Sequence, residues 1–260
     1  MLLGDVIAEL EQLSPPSFAE SWDNSGLMCG SRRMQVDSIL LSVDATDEVV
    51  EEALLSGADL LLTHHPLIFP HVAHITEEDI VGRRLLKLIA ANVACYSMHT
   101  NFDVMGMADE AADRLGLLDR EVLHVTYEDA IAKEGIGRIG KLTKELRLAD
   151  CVDLVKEAFL LDSVRLFGDS EQKVRRVAVS PGSGKDMIPD ALAAGAELLI
   201  TGDIGHHDGI DAVAAGMAVI DAGHYGIEKI FVDYMKDFFR KKLPGLNVSA
   251  ASQREPFTVL

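Results

Sequence analysis

One stretch of this chain occurs twice. Val36 to Thr63 aligns without a gap on Val174 to Thr201, 138 residues later, and Val36, Ser42, Ala53, Leu54, Gly57, Ala58, Leu60, Leu61 and Thr63 all recur. Gly-Ala-Asp-Leu-Leu-Leu-Thr at 57–63 returns as Gly-Ala-Glu-Leu-Leu-Ile-Thr at 195–201. Any helix that stops at a glycine before a buried strand converges on part of such a string. Nine gapless identities favour a duplication. The chain is therefore expected to build two related lobes, 1–125 and 126–260, with no independent linker between them.

The hydrophobic pattern gives the class of each lobe. Leu3, Val6, Ile7, Leu10 and Leu13 mark one face of a helix that Ser14-Pro15-Pro16 ends. Ser38 to Val43 is an apolar run of strand length, Asp47 to Ser56 reads as a helix stopped by Gly57, and Leu60-Leu61-Leu62 is a buried strand. A helix follows Thr76-Glu77-Glu78-Asp79, and Val93 to Ser97 is a further strand. Short strands alternating with helices of this length predict an α/β fold, with duplicated lobes of mixed, largely parallel sheets flanked by helices. Between the lobes, Gly135-Ile136-Gly137 reads as a turn.

Charge and cysteine usage narrow the function classes. Lys and Arg total 24 against 42 Asp and Glu, a formal charge of −18. That balance disfavours nucleic acid, whose binders need a basic footprint, and anionic membrane surfaces. Cys29, Cys95 and Cys151 are odd in number and widely spaced, which fits neither a disulfide framework nor a cysteine zinc site. The segment from Met1 to Glu11 lacks the basic start of a signal peptide, and no apolar run reaches the length of a membrane span, so cytoplasm is the expected location.

The histidines are clustered: His64-His65, His71, His74, His99, His124, His206-His207 and His224. Several directly follow predicted strands, and open α/β sheets bind ligands beyond the carboxyl ends of their strands. Thr63-His64-His65-Pro66 closes one such strand. Neighbouring side chains on a strand diverge, so this pair suits two metals, one per imidazole, or else two hydrogen-bonded loop histidines. Past the next strand, Asp103 offers a hard oxygen ligand or a helix cap, and His99 can ligate or orient. His224 and Glu228 are four apart at a helix start and share a face. They can share a metal, or form an ordinary surface pair. Thr201-Gly202-Asp203-Ile204-Gly205-His206-His207-Asp208 is the repeat of the Thr63 strand end, where the histidine pair is displaced and acidic groups are added.

Together His64, His65, Asp103, His224 and Glu228 supply three imidazoles and two carboxylates. Two divalent ions would leave that set positively charged, with open positions that attract water and an anionic or carbonyl-bearing group. Mixed nitrogen and oxygen ligation suits Zn²⁺, Fe²⁺, Mn²⁺, Co²⁺ or Ni²⁺ and does not choose among them. Ser180-Pro181-Gly182-Ser183-Gly184-Lys185-Asp186 looks like a phosphate loop, but the spacing is wrong and Asp186 replaces the hydroxyl residue. It reads as a tight strand-to-helix turn. Trp22-Asp23-Asn24-Ser25-Gly26, which holds the chain's one tryptophan, reads as a packed polar loop.

Trp22-Asp23-Asn24-Ser25-Gly26-Leu27, Thr63-His64-His65-Pro66-Leu67-Ile68-Phe69, His99-Thr100-Asn101 with Asp103, Gly182-Ser183-Gly184, Thr201-Gly202-Asp203 with His206-His207, and Gly223-His224-Tyr225 with Glu228 jointly carry a resemblance. Through almost its whole length the chain resembles the Nif-three-like dinuclear-metal hexameric proteins, also called GTP cyclohydrolase 1 type 2 proteins. The resemblance implies a duplicated Nif-three-like fold. It implies that His64, His65, Asp103, His224 and Glu228 ligate two divalent ions per chain, with Glu228 bridging. It also implies a toroidal homohexamer with its sites on an internal cavity, and water attack on the guanine ring of GTP. His99, His206 and His207 are then the candidates for proton transfer. Two departures from the family pattern, Asp203 and Gly106-Met107-Ala108-Asp109, remove none of the implied ligands.

Three functions fit these residues. A dinuclear-metal hydrolase acting on a nucleotide or similar small molecule ranks first. A metal-handling or chaperone protein, whose acidic surface would draw cations, ranks second. An interaction scaffold with closed, structural metal sites ranks third.

Overall fold

The structure, a computed structural model, describes residues 1–69 and 72–258. In chain order the first elements are α1 (Leu3–Leu13), β1 (Gly26–Cys29), β2 (Ser38–Ser42), α2 (Asp47–Ser56), β3 (Leu60–Thr63), α3 (Ile80–Ala90), β4 (Ala94–Ser97) and α4 (Thr100–Phe102). A π-turn at Asp103–Met107 leads into α5 (Ala108–Arg114), β5 (Leu118–Glu128), β6 (Lys133–Arg147), α6 (Leu148–Phe159), β7 (Arg165–Phe167) and β8 (Lys173–Ser183). Then come α7 (Ile188–Ala193), β9 (Leu198–Gly202), α8 (His206–Ala214), β10 (Ala218–Asp221), α9 (His224–Glu228), α10 (Ile230–Lys242) and β11 (Asn247–Ala250).

The chain packs as two compact units, Met1–Phe102 with Phe231–Leu260, and Asp103–Ile230. The lobes expected at 1–125 and 126–260 follow the sequence repeat, whereas packing groups residues by contact. The two divisions differ because β11 adds to β2 as a parallel strand, placing the end of the described chain in the first unit.

The first unit holds a five-stranded sheet in the order β1-β4-β3-β2-β11. β4, β3, β2 and β11 run parallel and β1 is antiparallel to β4. Parallel neighbours need a crossover, which α2 and α3 provide. β3 is buried along its length, as its unbroken Leu-Leu-Leu-Thr requires. Thr46 caps α2 by accepting from the Val49 amide at 3.2 Å, a contact that stabilises a helix by about 1 kcal/mol. Gly57 ends it in a left-handed turn. Leu40, Val49, Val50, Leu61, Leu85 and Leu88 form the core between sheet and helices. Cys29 and Cys95 stand opposite each other across β1 and β4, both as free thiols, although the sequence separates them widely.

The second unit holds a six-stranded sheet in the order β5-β6-β8-β9-β10-β7. β8, β9 and β10 are parallel, and the β5-β6, β6-β8 and β10-β7 pairs are antiparallel. The order α6-β7-β8-α7-β9-α8-β10 repeats α1-β1-β2-α2-β3-α3-β4. The register repeats as well: Ile39 faces Leu60 in one unit, and the equivalent Val177 faces Leu198 in the other. The predicted turn at Gly135-Ile136-Gly137 is not one. These residues lie inside β6, paired with His124 and Val125 of β5. The hairpin turns earlier, where Asp129 accepts from the Ile131 and Ala132 amides. No described helix is long and apolar enough to cross a membrane.

Candidate metal centre

In the first unit the site is built on the carboxyl ends of β3 and β4. His64 is buried and His65 half-buried directly after Thr63. The sequence expectation was that their side chains diverge. They do not, because the strand has already ended: the Thr63 hydroxyl donates to the His65 carbonyl at 2.8 Å and closes a turn. The two rings lie 4.9 Å apart between centroids. His99, just past β4, completes a triad whose ligating atoms all lie within 4.8 Å of one another.

Each of these rings is fixed through its Nδ1 atom. His64 donates to the Met98 carbonyl, His65 to Asp44 Oδ1 and His99 to Asp23 Oδ1, each at 2.7 Å. A carbonyl or an ionised carboxylate only accepts, so each neutral ring carries its proton on Nδ1 and presents the Nε2 lone pair. Nδ1 held by an acceptor and Nε2 left for the metal is the usual arrangement of a ligating histidine. The residues fit a divalent ion.

The groups that hold these rings are themselves braced. Gln253 donates through Nε2 to Asp44, and its carbonyl accepts from the Val43 and Asp44 amides at 3.1 and 3.0 Å. Asp23 accepts from the Thr100 hydroxyl at 2.6 Å, the Thr100 amide at 3.1 Å and the Ser25 hydroxyl at 2.7 Å. Burial raises the Asp23 carboxyl, but hydrogen bonds from His99, Thr100 and Ser25 together outweigh it and hold the group far below the usual carboxylate range. Trp22–Ser25 is therefore the support of His99 rather than a merely packed loop.

In the second unit the site gathers on Glu228, which is 3% exposed. Its Oε2 lies 3.2 Å from His224 Nε2, and a carboxylate oxygen of Asp103 lies within 4.8 Å of a Glu228 carboxylate oxygen. Glu228 thus has an imidazole and a second carboxylate among its near neighbours. Two carboxylates this close, one of them buried, favour a cation between them. His224 repeats the Nδ1 pattern, donating to Asp203 Oδ2 at 2.7 Å. Asp203 occupies the position that the repeat makes equivalent to His65. A candidate ligand histidine in one unit is replaced by a carboxylate that orients a histidine in the other.

Backbone makes room for Glu228. Gly182 has φ +78°, and a Cβ there would stand 2.5 Å from Glu228 Oε1. A Cβ on Gly202, the counterpart of His64, would meet the His224 amide nitrogen at 2.7 Å. The segment read as a tight strand-to-helix turn, Ser180 to Gly184, instead continues β8 to Ser183 and forms the wall against which the carboxylate rests. Asp221, buried at the end of β10, accepts from the Ile204 and Gly223 amides, both at 2.9 Å, and from Arg165. It braces the loops that carry Asp203 and His224. Asp103 is not a helix cap but the first residue of the π-turn, a helical irregularity often found at functional sites.

His206 and His207 are exposed at the first turn of α8, rings 5.2 Å apart, and belong to no ligand cluster among the described residues. His71 lies outside the described residues. Sequence reading missed Asp44, Gln253 and Asp221 as supports. Only an acidic residue at or just past a strand end hinted at two of them, and Gln253, far along the chain, gave no signal.

The family profile described as Duf34/NIF3 (NGG1p interacting factor 3) matches residues 1–256. A Clostridium perfringens protein named GTP cyclohydrolase 1 type 2 homolog is 37% identical over 230 residues, covering 88% of this chain and 87% of that protein. The crystal structure of a Staphylococcus aureus protein superposes with a TM-score of 0.88 at 28% identity, covering 100% of this chain and 99% of that one. A Bacillus cereus protein related to NIF3 shares the fold with a TM-score of 0.91 at 24% identity, again covering 100% and 99%.

Proposed function

The chain belongs to the Duf34/NIF3 family, and on that footing we propose that it is a dinuclear divalent-metal-dependent hydrolase. In this reading it resembles GTP cyclohydrolase 1 type 2 and acts on a nucleotide or similar small molecule. The observation that carries the reading is that His64 and His65 both donate through Nδ1, leaving Nε2 for a metal, and stand with His99 in one 4.8 Å cluster. His64, His65, Asp103, His224 and Glu228 are the proposed ligands, with Glu228 bridging. Zn²⁺, Fe²⁺, Mn²⁺, Co²⁺ or Ni²⁺ held by these residues would supply Lewis acidity and would acidify water toward neutrality.

The chain's own residues do the rest. Asp44 and Asp203 keep the His65 and His224 rings turned with Nε2 inward. Asp23 does the same for His99, so that its Nε2 can accept or return a proton. His206 and His207, exposed at the head of α8, are proposed to exchange protons with solvent. The toroidal homohexamer implied by the resemblance is part of the same proposal and is checked by analytical ultracentrifugation.

The test is elemental analysis of protein purified without added metal, followed by formate release from GTP. The reading expects about two ions per chain and metal-dependent turnover that is lost in His65→Ala with circular dichroism unchanged. Stoichiometric ions without turnover of GTP or a broad panel of nucleotides, phosphoesters and amides would overturn the hydrolase and leave a metal-handling protein. No retained ion would overturn both.

A further inference from the structure

We propose that Trp22 and Phe69, with the ring of His99, form a stacking subsite for one planar heteroaromatic ring of the nucleobase type. The proposal rests on reading the neighbouring histidines as the reacting site, and it names the residues that would hold the base there. Trp22 is 60% exposed and Phe69 51% exposed, on a chain in which aromatic residues make up 5%. Trp22 is also the one tryptophan in the sequence. Two large rings exposed side by side mark a place meant to be covered.

Their arrangement says by what. Trp22 and Phe69 lie 6.0 Å apart with planes at 68°. His99 is 6.1 Å from Trp22 at 76° and 6.0 Å from Phe69 at 83°. The three rings form a corner in which none stacks in parallel on another. A flat ring laid against one of them presents its face there and its edges to the others, the geometry that aromatic pairs favour. An aliphatic group would gain only burial from such a corner, not the paired face and edge contacts. Two side chains are also far less than the roughly 800 Å² per partner of a stable protein interface, whereas they match a single ring.

The corner is fixed before anything binds. Asn24 Nδ2 donates to the Ile68 carbonyl at 2.5 Å, tying the loop of Trp22 to that of Phe69. The Asp23 network holds the same loop against Thr100 and His99. Little loop ordering remains to be done on binding. His99 then stands between the corner and the ligand pair, 5.4 Å from His64 and 5.5 Å from His65. A base on Trp22 or Phe69 would have its edge beside the one polar ring of the corner and next to the metal-binding histidines.

The single tryptophan makes the test direct. Fluorescence of Trp22 is followed in the full chain while guanosine, GTP, ribose 5-phosphate or inorganic tripolyphosphate is added, with metal content measured in the same samples. The expected result is saturable quenching by guanosine and GTP and none by tripolyphosphate or ribose 5-phosphate. Phe69→Ala should raise the apparent Kd for guanosine by roughly 10- to 100-fold, the worth of one lost base–aromatic stack. Absence of saturable quenching by either purine would overturn the proposal. So would equal quenching by tripolyphosphate, an unchanged Kd in Phe69→Ala, or quenching that follows protein concentration and so reports a second copy covering the corner. Ions bound without purine quenching would sink the subsite and leave the metal reading. Purine quenching without ions would do the reverse.

Discussion

Asp23 Oδ1 accepts from His99 Nδ1 at 2.7 Å, although 76 residues separate the two in sequence. The contact joins the loop before β1 to the loop after β4, which the sheet makes neighbours. Asp23→Asn keeps the shape but lets the amide present either its oxygen or its NH2 to the ring. We expect His99 to change from a single Nδ1–H tautomer to a mixture, visible in the nitrogen shifts of its imidazole by NMR. A fall in stability of about 1–3 kcal/mol by urea denaturation should accompany it, since several donors to the carboxylate lose a charged acceptor.

Gly182 lies against Glu228, and Gly195 provides its control. Both have left-handed φ, +78° and +74°, but a Cβ on Gly195 meets nothing within 4 Å. Gly195→Ala should therefore lose only about 1 kcal/mol, from backbone strain. Gly182→Ala adds the clash with Glu228 Oε1. It should weaken Mn²⁺ or Zn²⁺ binding by roughly 10- to 100-fold in calorimetric titration, the usual effect of disturbing a ligand's support. Equal metal affinity in the two variants would show that Glu228 is not a ligand.

Arg138 is buried and paired in fork geometry with Asp109, Nε to Oδ1 at 2.8 Å and Nη2 to Oδ2 at 2.9 Å. Its remaining protons go to the Gly135, Gly137 and Val104 carbonyls. It thus clasps β6 to the π-turn that begins at Asp103. Asp109→Ala removes the forked partner of a buried guanidinium, leaving Glu134 at 3.9 Å, and because Asp109 is half-exposed it should destabilise the protein by about 1–3 kcal/mol in urea denaturation. Combining it with Arg138→Met should recover much of that loss.

Asp47 at the start of α2 accepts from Arg84 at 2.6 Å and Arg83 at 3.1 Å, both on α3. The bond from Arg84, opposed by partial burial and reinforced by Arg83, holds its carboxyl below the usual range. A carboxyl lowered by folding stabilises the fold above its unfolded pKa near 4, and that help disappears as pH falls through the lower folded value. The pair is well exposed, so its worth is below about 1 kcal/mol. The urea midpoints of wild type and Asp47→Asn should differ slightly at pH 7 and converge as the pH approaches 2.

Most of the fold was legible in the chain itself. The α1 stripe of Leu3, Val6, Ile7 and Leu10, the α2 stop at Gly57 and the repeated Gly-Ala-x-Leu-Leu run are local patterns, and local patterns suffice when propensity, burial and capping agree. The residue types of the candidate metal site were visible too, because His64-His65 and His224 with Glu228 stand in short spacings. What sequence could not supply was the set of supports. Asp44 reaches His65 from the end of β2 and is held by Gln253 from beyond β11, while Asp23 reaches His99 from before β1. Such pairings exist only once strand order is set, because a hydrogen bond depends on a few tenths of an ångström that no one-dimensional pattern encodes. The same holds for Gly182 and Gly184, whose spacing imitates a phosphate loop while their backbone makes room for Glu228 and Thr201. Sequence thus determined which groups could bind a cation; tertiary structure decided which nitrogen each histidine offers and how closely the donors stand.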